Sequence, residues 1–130
     1  MVNVDLLIKD EHGRVLLAWR DDPYSGMGWH IPGGIVRYKE TFETRIRKVA
    51  EKEIGADVVF DPTPIAINEV FCKQETRGHF ISILFQCHLE GSFYPENEGL
   101  EEKDVGFLKW HSHCPQNLLK VQDMYRKYFI

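Results

Sequence analysis

The stretch Pro32-Gly33-Gly34, followed by a charged amphipathic run that closes at Gly55, constrains this chain more than any other feature. Consecutive glycines break a strand and let the backbone approach a ligand closely, because no Cβ stands in the way. Thr41 is a capping residue, and Phe42, Ile46, Val49, Ala50 and Ile54 follow at helical spacing. Gly55 supplies a C-terminal stop. The pattern predicts a helix over residues 41–54, entered almost directly from a glycine turn. Each residue advances about 100° around such a helix, so positions 49, 52 and 53 share a face. Glu51 falls about 160° from Glu53. On the shared face only Glu53 offers a carboxylate, beside Val49 and Lys52.

The remaining sequence reads as strands. Val4 to Ile8 is apolar, Asp10-Glu11-His12-Gly13 is a turn, and Val15 to Trp19 returns, which predicts a hairpin. Asp21 to Gly28 reads as a loop, and Trp29-His30-Ile31 as a short extended approach to the glycines. Strands are expected at Val58 to Phe60, Ile65 to Cys72, His79 to Leu89 and Phe107 to Trp110. Lys73 to Gly78 reads as a polar turn and 90–104 as an acidic loop. His79 to Leu89 is almost continuously apolar in its middle, as a buried central strand would be. A last helix is expected after Pro115, with Leu118, Leu119, Val121, Met124, Tyr125 and Tyr128 on its apolar side.

With 130 residues the chain suits one domain, residues 1–130, with a real core. A net charge of −4 without a basic run argues against a nucleic-acid partner. No apolar run reaches the ~20 residues of a membrane helix, and no signal peptide is visible, so a cytoplasmic protein without membrane contact is expected. Cys72, Cys87 and Cys114 are odd in number and widely spaced, and they read as reduced thiols. His111, His113 and Cys114 lie close together but lack a second ligand pair, so they read as ordinary residues at a strand–helix junction.

The segment from Gly34 onward resembles the Nudix box, G-x5-E-x7-R-E-U-x-E-E-x-G-U, in which U is a bulky aliphatic residue. Gly34, Glu40, Glu53 and Gly55 fall on that pattern. Lys48 stands at the Arg position, Val49 and Lys52 at two acidic positions, and Ala50 and Ala56 at the aliphatic ones. The resemblance implies an α/β fold, the Nudix α/β/α sandwich with a mixed sheet between helices. It also implies a hydrolase of nucleoside diphosphate derivatives that uses Mg²⁺, with Mn²⁺ as a substitute.

Within that family the chain is similar to a branch that hydrolyses GDP-mannose at the sugar carbon, releasing GDP and mannose. The similarity lies in Gly33-Gly34-Ile35-Val36, Glu40-Thr41-Phe42-Glu43 and Glu53-Ile54-Gly55, and upstream in Asp5, Arg20 and Trp29-His30-Ile31-Pro32. It implies that the Gly33 carbonyl and Glu53 carboxylate hold one Mg²⁺, that Arg20 contacts the diphosphate, and that Asp5 orients substrate or base. Homodimers are common among such relatives, and a homodimer is the corresponding expectation.

Two positions depart from the branch. Its general base is a His in the loop before the strand that here reads Phe107-Leu108-Lys109-Trp110. This loop has Glu98, Glu101, Glu102 and Asp104 instead, and Glu102, then Glu101, are the expected carboxylate bases or else solvated acids. An Arg that follows the double glycine in the branch is Ile35 here, and Arg37 is the expected substitute. Lys52 either points to solvent or neutralises diphosphate charge where a second metal would sit. Tyr24, Trp29 and Phe71 are candidates to stack on a base, although aromatics in a small domain are more often core. Two further readings stay open: attack at phosphorus, and a nucleotide-binding domain with weak turnover.

Overall fold

The structure is a computed structural model that describes residues 1–22, 26–72 and 78–129. Strands β1 (Val2–Ile8), β4 (Gly33–Ile35), β5 (Val59–Phe60), β6 (Ala66–Phe71) and β7 (His79–His88) form a mixed sheet. Its order is β4-β1-β7-β5, with β6 also on β7; β1 and β7 run parallel and the other pairs antiparallel. A second, antiparallel sheet holds β3 (Gly26–His30), β2 (Val15–Asp22) and β8 (Leu108–His111), in the order β3-β2-β8.

Alternation along the strands divides the core. Val4, Leu6 and Ile8 of β1, with Leu16 and Ala18 of β2, pack with Ile46, Val49, Ala50 and Ile54 from the helical segment. Leu7, Val15, Leu17 and Trp19 point the other way and meet Trp29, Ile31, Leu118 and Tyr125. Because β1 is covered on both faces, its stretch Val4 to Ile8 reads as a near-continuous apolar run in which Asp5 is the polar interruption. These layers are the α/β sandwich expected from the sequence.

Helix α1 (Phe42–Val49) begins at Thr41, whose hydroxyl accepts the Thr44 N–H at 3.1 Å. It continues as a π-helical turn over Ala50–Ile54 and stops at Gly55, which has φ 78° and donates its N–H to Ala50 O at 2.8 Å. The glycine absorbs a left-handed backbone that a side chain would oppose. The predicted single helix is thus α-helical only in its first part. Single π turns of this kind recur at functional sites.

Three local expectations are corrected. β1 and β2 share only the Lys9–Val15 bridge rather than a hairpin, because both edges of β1 are taken by β4 and β7. The expected loop from Asp21 to Gly28 is partly paired, with Asp21 opposite Met27 and Asp22 opposite Gly26. The final helix is a 3-10 helix, Lys120–Tyr128, kinked at Gln122. No helix among the described residues is long and apolar enough to cross a membrane. The expected turn at Lys73–Gly78 and the side chain of Tyr24 lie outside the described residues, Gly78 excepted.

Candidate active site

A cleft of about 1080 Å³ opens between the glycine turn, the end of the helical segment and the loop before β8. Asp5, Arg20, Gly33, Arg37, Lys52 and Glu53 all line it. The architecture therefore gathers six of the sequence-derived site residues, from β1, β2, β4, the loop after it and the π turn.

Asp5 sits opposite Gly33 on β4 and beside Leu84 on β7. Its carboxylate is buried. Oδ1 accepts from Asn3 Nδ2 at 2.7 Å, and Oδ2 accepts from the Ser82 hydroxyl and from the Tyr125 hydroxyl at 2.6 Å. Burial raises its pKa to about 6 against the pull of those donors. A Cβ at Gly33 would collide with this carboxylate and would lie 2.6 Å from the Val4 carbonyl oxygen. Only glycine lets β4 lie this close to β1.

Glu53 comes from the π turn with its side chain 26% exposed. Burial raises its pKa to about 7; a backbone hydrogen bond from Gly33 and the charge of Arg20 act in the opposite direction, while Asp5 adds to the rise. His30 Nε2 lies 3.9 Å from Glu53 Oε1. The other ring nitrogen, His30 Nδ1, is 2.9 Å from the Ile31 carbonyl, which assigns the proton to Nδ1 in the neutral ring. A carboxylate at Val49 would have stood nearby, but Val49 is buried in the core instead, and a Cβ on Gly34 would lie 2.9 Å from its Cγ2.

Glu40 has a separate task. Arg45 clamps it through two bonds, Nε to Oε1 at 2.6 Å and Nη2 to Oε2 at 2.9 Å. Lys48 Nζ adds a bond at 3.3 Å, and the Arg37 N–H donates to Oε1 at 3.1 Å. Arg45, then the Arg37 amide, hold the Glu40 pKa down at about 2. The clamp ties the loop after the glycines to α1, with Lys48 serving where the box has Arg.

The loop acids lie differently. Leu100, Val105 and Gly106 line the cleft, whereas Glu101 and Glu102 are exposed beside it. Glu102 Oε2 is 3.5 Å from Lys109 Nζ, and the Glu101 N–H donates to Asp104 Oδ2 at 2.8 Å. Trp29 is buried edge-on against Trp19 at 5.2 Å between ring centroids, and exposed Phe71 stacks on His79 at 4.1 Å, so neither ring lines the cleft. His30, Ser82, Gln122 and Tyr125 escaped the sequence reading. His30 and Ser82 showed only polarity between apolar neighbours, Tyr125 read as part of the apolar side of the last helix, and Gln122, beside Asp123, carried no signal.

No group of three or more His, Cys, Asp and Glu suited to a metal occurs among the described residues. A site with one principal carboxylate still fits Mg²⁺, which keeps waters and phosphate oxygens in much of its shell. The half-buried Glu53, raised toward neutrality by burial, is the group such an ion would stabilise in its charged form.

The profile of the NUDIX domain family matches residues 1–125, and the chain belongs to the Nudix hydrolases, a family that acts on nucleoside diphosphate derivatives and generally uses divalent metal ions such as Mg²⁺. It is similar to the low-salt glycan biosynthesis protein Agl8 of Haloferax volcanii, at 30% identity over 94 residues, 69% of this chain and 60% of that protein. The chain thus spans about 60% of that curated relative's length. Among solved structures, a candidate asymmetric diadenosine tetraphosphate hydrolase from Jonesia denitrificans superposes with a TM-score of 0.73 at 24% identity, covering 98% of this chain and 91% of that one. A MutT Nudix hydrolase from Burkholderia pseudomallei gives 0.73 at 20% identity, covering 99% and 97%. At these identities the two structures speak for the fold.

Proposed function

We propose that this chain is a Mg²⁺-dependent hydrolase of a nucleoside diphosphate joined to a sugar, and that it attacks the sugar carbon. The observation that carries the reading is the composition of the cleft. Among the described residues its acids are Asp5 and Glu53, against Arg20, Arg37, Arg45, Lys48 and Lys52. Such a cleft suits an anionic substrate whose own oxygens complete the metal shell. The name of the Haloferax relative, with its glycan biosynthesis, agrees with a sugar-linked substrate.

In this reading Glu53 and the Gly33 carbonyl would hold the ion, which when bound supplies positive charge to the diphosphate. Arg20 and Arg37 grip the diphosphate oxygens, and Lys52 adds fixed charge where the fuller box has a metal ligand. Asp5, held by its three donors, orients the sugar or the attacking water. Glu102, or Glu101 beside it, takes the proton from that water. The water oxygen bonds to the anomeric carbon, the carbon–oxygen bond to the diphosphate breaks, and the nucleoside diphosphate leaves with that electron pair. Tyr24 is a further substrate contact in this proposal.

The test is a panel of nucleotide sugars and dinucleotides with Mg²⁺ or Mn²⁺, with both products identified. Free sugar with an intact nucleoside diphosphate is the expected result. A nucleoside monophosphate with a sugar phosphate would assign attack to phosphorus. A second reading, nucleotide binding with weak turnover, is favoured by the burial of Val49 where the box has an acid. Binding without either product would select it.

A further inference from the structure

The 3-10 helix at the end of the chain is sewn to the floor of the cleft. Backbone bonds run from Trp29 N–H to Asn117 O at 3.0 Å and from Leu119 N–H to Trp29 O at 2.9 Å. Two residues further along the approach to the glycines, at Ile31, Gln122 takes over. Its Oε1 accepts the Ile31 N–H at 2.7 Å, and its Nε2 donates to the Ile31 carbonyl at 3.4 Å. Gln122 is buried, although it is polar, and the helix kinks at that residue. One turn on, the buried Tyr125 donates its hydroxyl to Asp5 Oδ2 at 2.6 Å.

These contacts converge on one object. Ile31 stands directly before Pro32-Gly33-Gly34, and the Pro32 carbonyl accepts the Leu6 N–H of β1 at 2.8 Å. Asp5 is the residue paired with Gly33. The Ile31 carbonyl also receives His30 Nδ1, so Gln122 and His30 share one acceptor. Held this way, the imidazole turns Nε2 toward Glu53.

We infer that Gln122 and Tyr125 are positioning residues, a C-terminal strut that sets the glycine turn and the Asp5 carboxylate at the distance from Glu53 that ion binding needs. A buried amide has to satisfy its donor and its acceptor, and spending both on Ile31 fixes the two peptide planes that flank that residue. Gln122 is on the cleft wall and Tyr125 reaches it through Asp5, and in this inference neither binds the substrate or the ion. Each acts through backbone or carboxylate, as outer-shell partners of metal sites do, and loss of such partners typically costs about 10–100-fold in metal affinity. The inference rests on the proposed ion site at Gly33 and Glu53, but not on the identity of the substrate.

The test compares the parent with Gln122→Leu, Tyr125→Phe and the surface control Asp123→Asn. Mn²⁺ binding is titrated well below each melting temperature, and amide exchange at Ile31 and Gly33 is followed in metal-free protein. The strut predicts Mn²⁺ affinity lower by about tenfold or more in Gln122→Leu, and a smaller drop in Tyr125→Phe. It also predicts faster exchange at both amides, with Asp123→Asn unchanged. A merely structural role would lower the melting temperature and leave both readouts at parental values, which overturns the inference. If the parent itself fails to bind Mn²⁺, the ion site is wrong, and the exchange rates alone decide whether the strut holds the turn.

Discussion

His30 Nε2 faces Glu53 Oε1 across 3.9 Å, at the edge of a cleft whose other carboxylate is Asp5. Both acids are raised by burial, Asp5 to about 6 and Glu53 to about 7. The folded protein therefore keeps protons that the unfolded chain has already lost.

That difference gives a pH dependence with a definite sign. Each raised acid destabilises the fold as pH climbs from the unfolded carboxylate value, roughly 4, through its folded value. His111 works the other way over part of that range, since burial lowers it to about 4 and the neutral ring is favoured in the fold. Glu40, lowered from 4.5 to about 2, contributes stability that is full above the upper value and is lost as pH falls toward the lower one. Stability of the metal-free protein should therefore peak near pH 4.5 and fall at about 1.4 kcal/mol per pH unit, the weight of one proton, until Asp5 has ionised at about 6, with a last decline as Glu53 ionises toward about 7. Thermal melts in a chelator across that range check it. Added Mg²⁺ should flatten the decline as pH approaches about 7, because the ion takes the place of the Glu53 proton.

Gly33→Ala and Gly55→Ala should separate site from scaffold. A Cβ at Gly33 meets Asp5 and the Val4 carbonyl, so β4 or Asp5 has to move. A Cβ at Gly55 meets open space, but φ of 78° strains the backbone. Gly55→Ala should cost about 1 kcal/mol and leave turnover near normal. Gly33→Ala should cost more, about 1–3 kcal/mol, and abolish most turnover. Equal activities in the two variants, measured at a temperature where both are folded, would remove Gly33 from the site.

The acids at Glu98, Glu101, Glu102 and Asp104 make a third test. Single Gln or Asn changes should locate one position with a rate loss of about 10²-fold or more, the usual size for a positioned base. Glu102 is expected first. Near-normal rates in all four variants would place the base elsewhere.

The double change Val49→Glu with Lys52→Glu should rebuild the acidic face of the box. Val49 packs in the core, so the metal-free variant should be less stable than the parent. Added Mg²⁺ should then raise its melting temperature more than it raises the parent's, because a ligand bound only to the native state stabilises it by mass action. A melting temperature no more sensitive to Mg²⁺ than the parent's would mean that positions 49 and 52 do not face the ion.

The helix with its Thr41 cap and Gly55 stop was legible because each end is marked by a residue with a local reason to be there. β7 was legible because its apolar run is long. What escaped depends on distant partners. Asp5 showed its burial only as one polar residue in an apolar run, and the sequence holds no sign that Ser82 and Tyr125 would meet it. The hairpin between β1 and β2 failed for the same reason, since β4 and β7 claim both edges of β1. The π turn at Ala50–Ile54 leaves no local mark, because it lies in backbone hydrogen bonding such as that from Gly55 N–H to Ala50 O.

The most direct measurement is Mn²⁺ binding and nucleotide-sugar turnover by Glu53→Gln, beside its thermal stability at pH 8 without metal. Glu53 is the principal carboxylate of the proposed ion site, and its burial disfavours the charged form. The amide should therefore fold at least as stably as the parent, while Mn²⁺ binding and most turnover are lost. A Gln variant that binds Mn²⁺ and turns over like the parent, with the same metal dependence, would contradict the account at its centre.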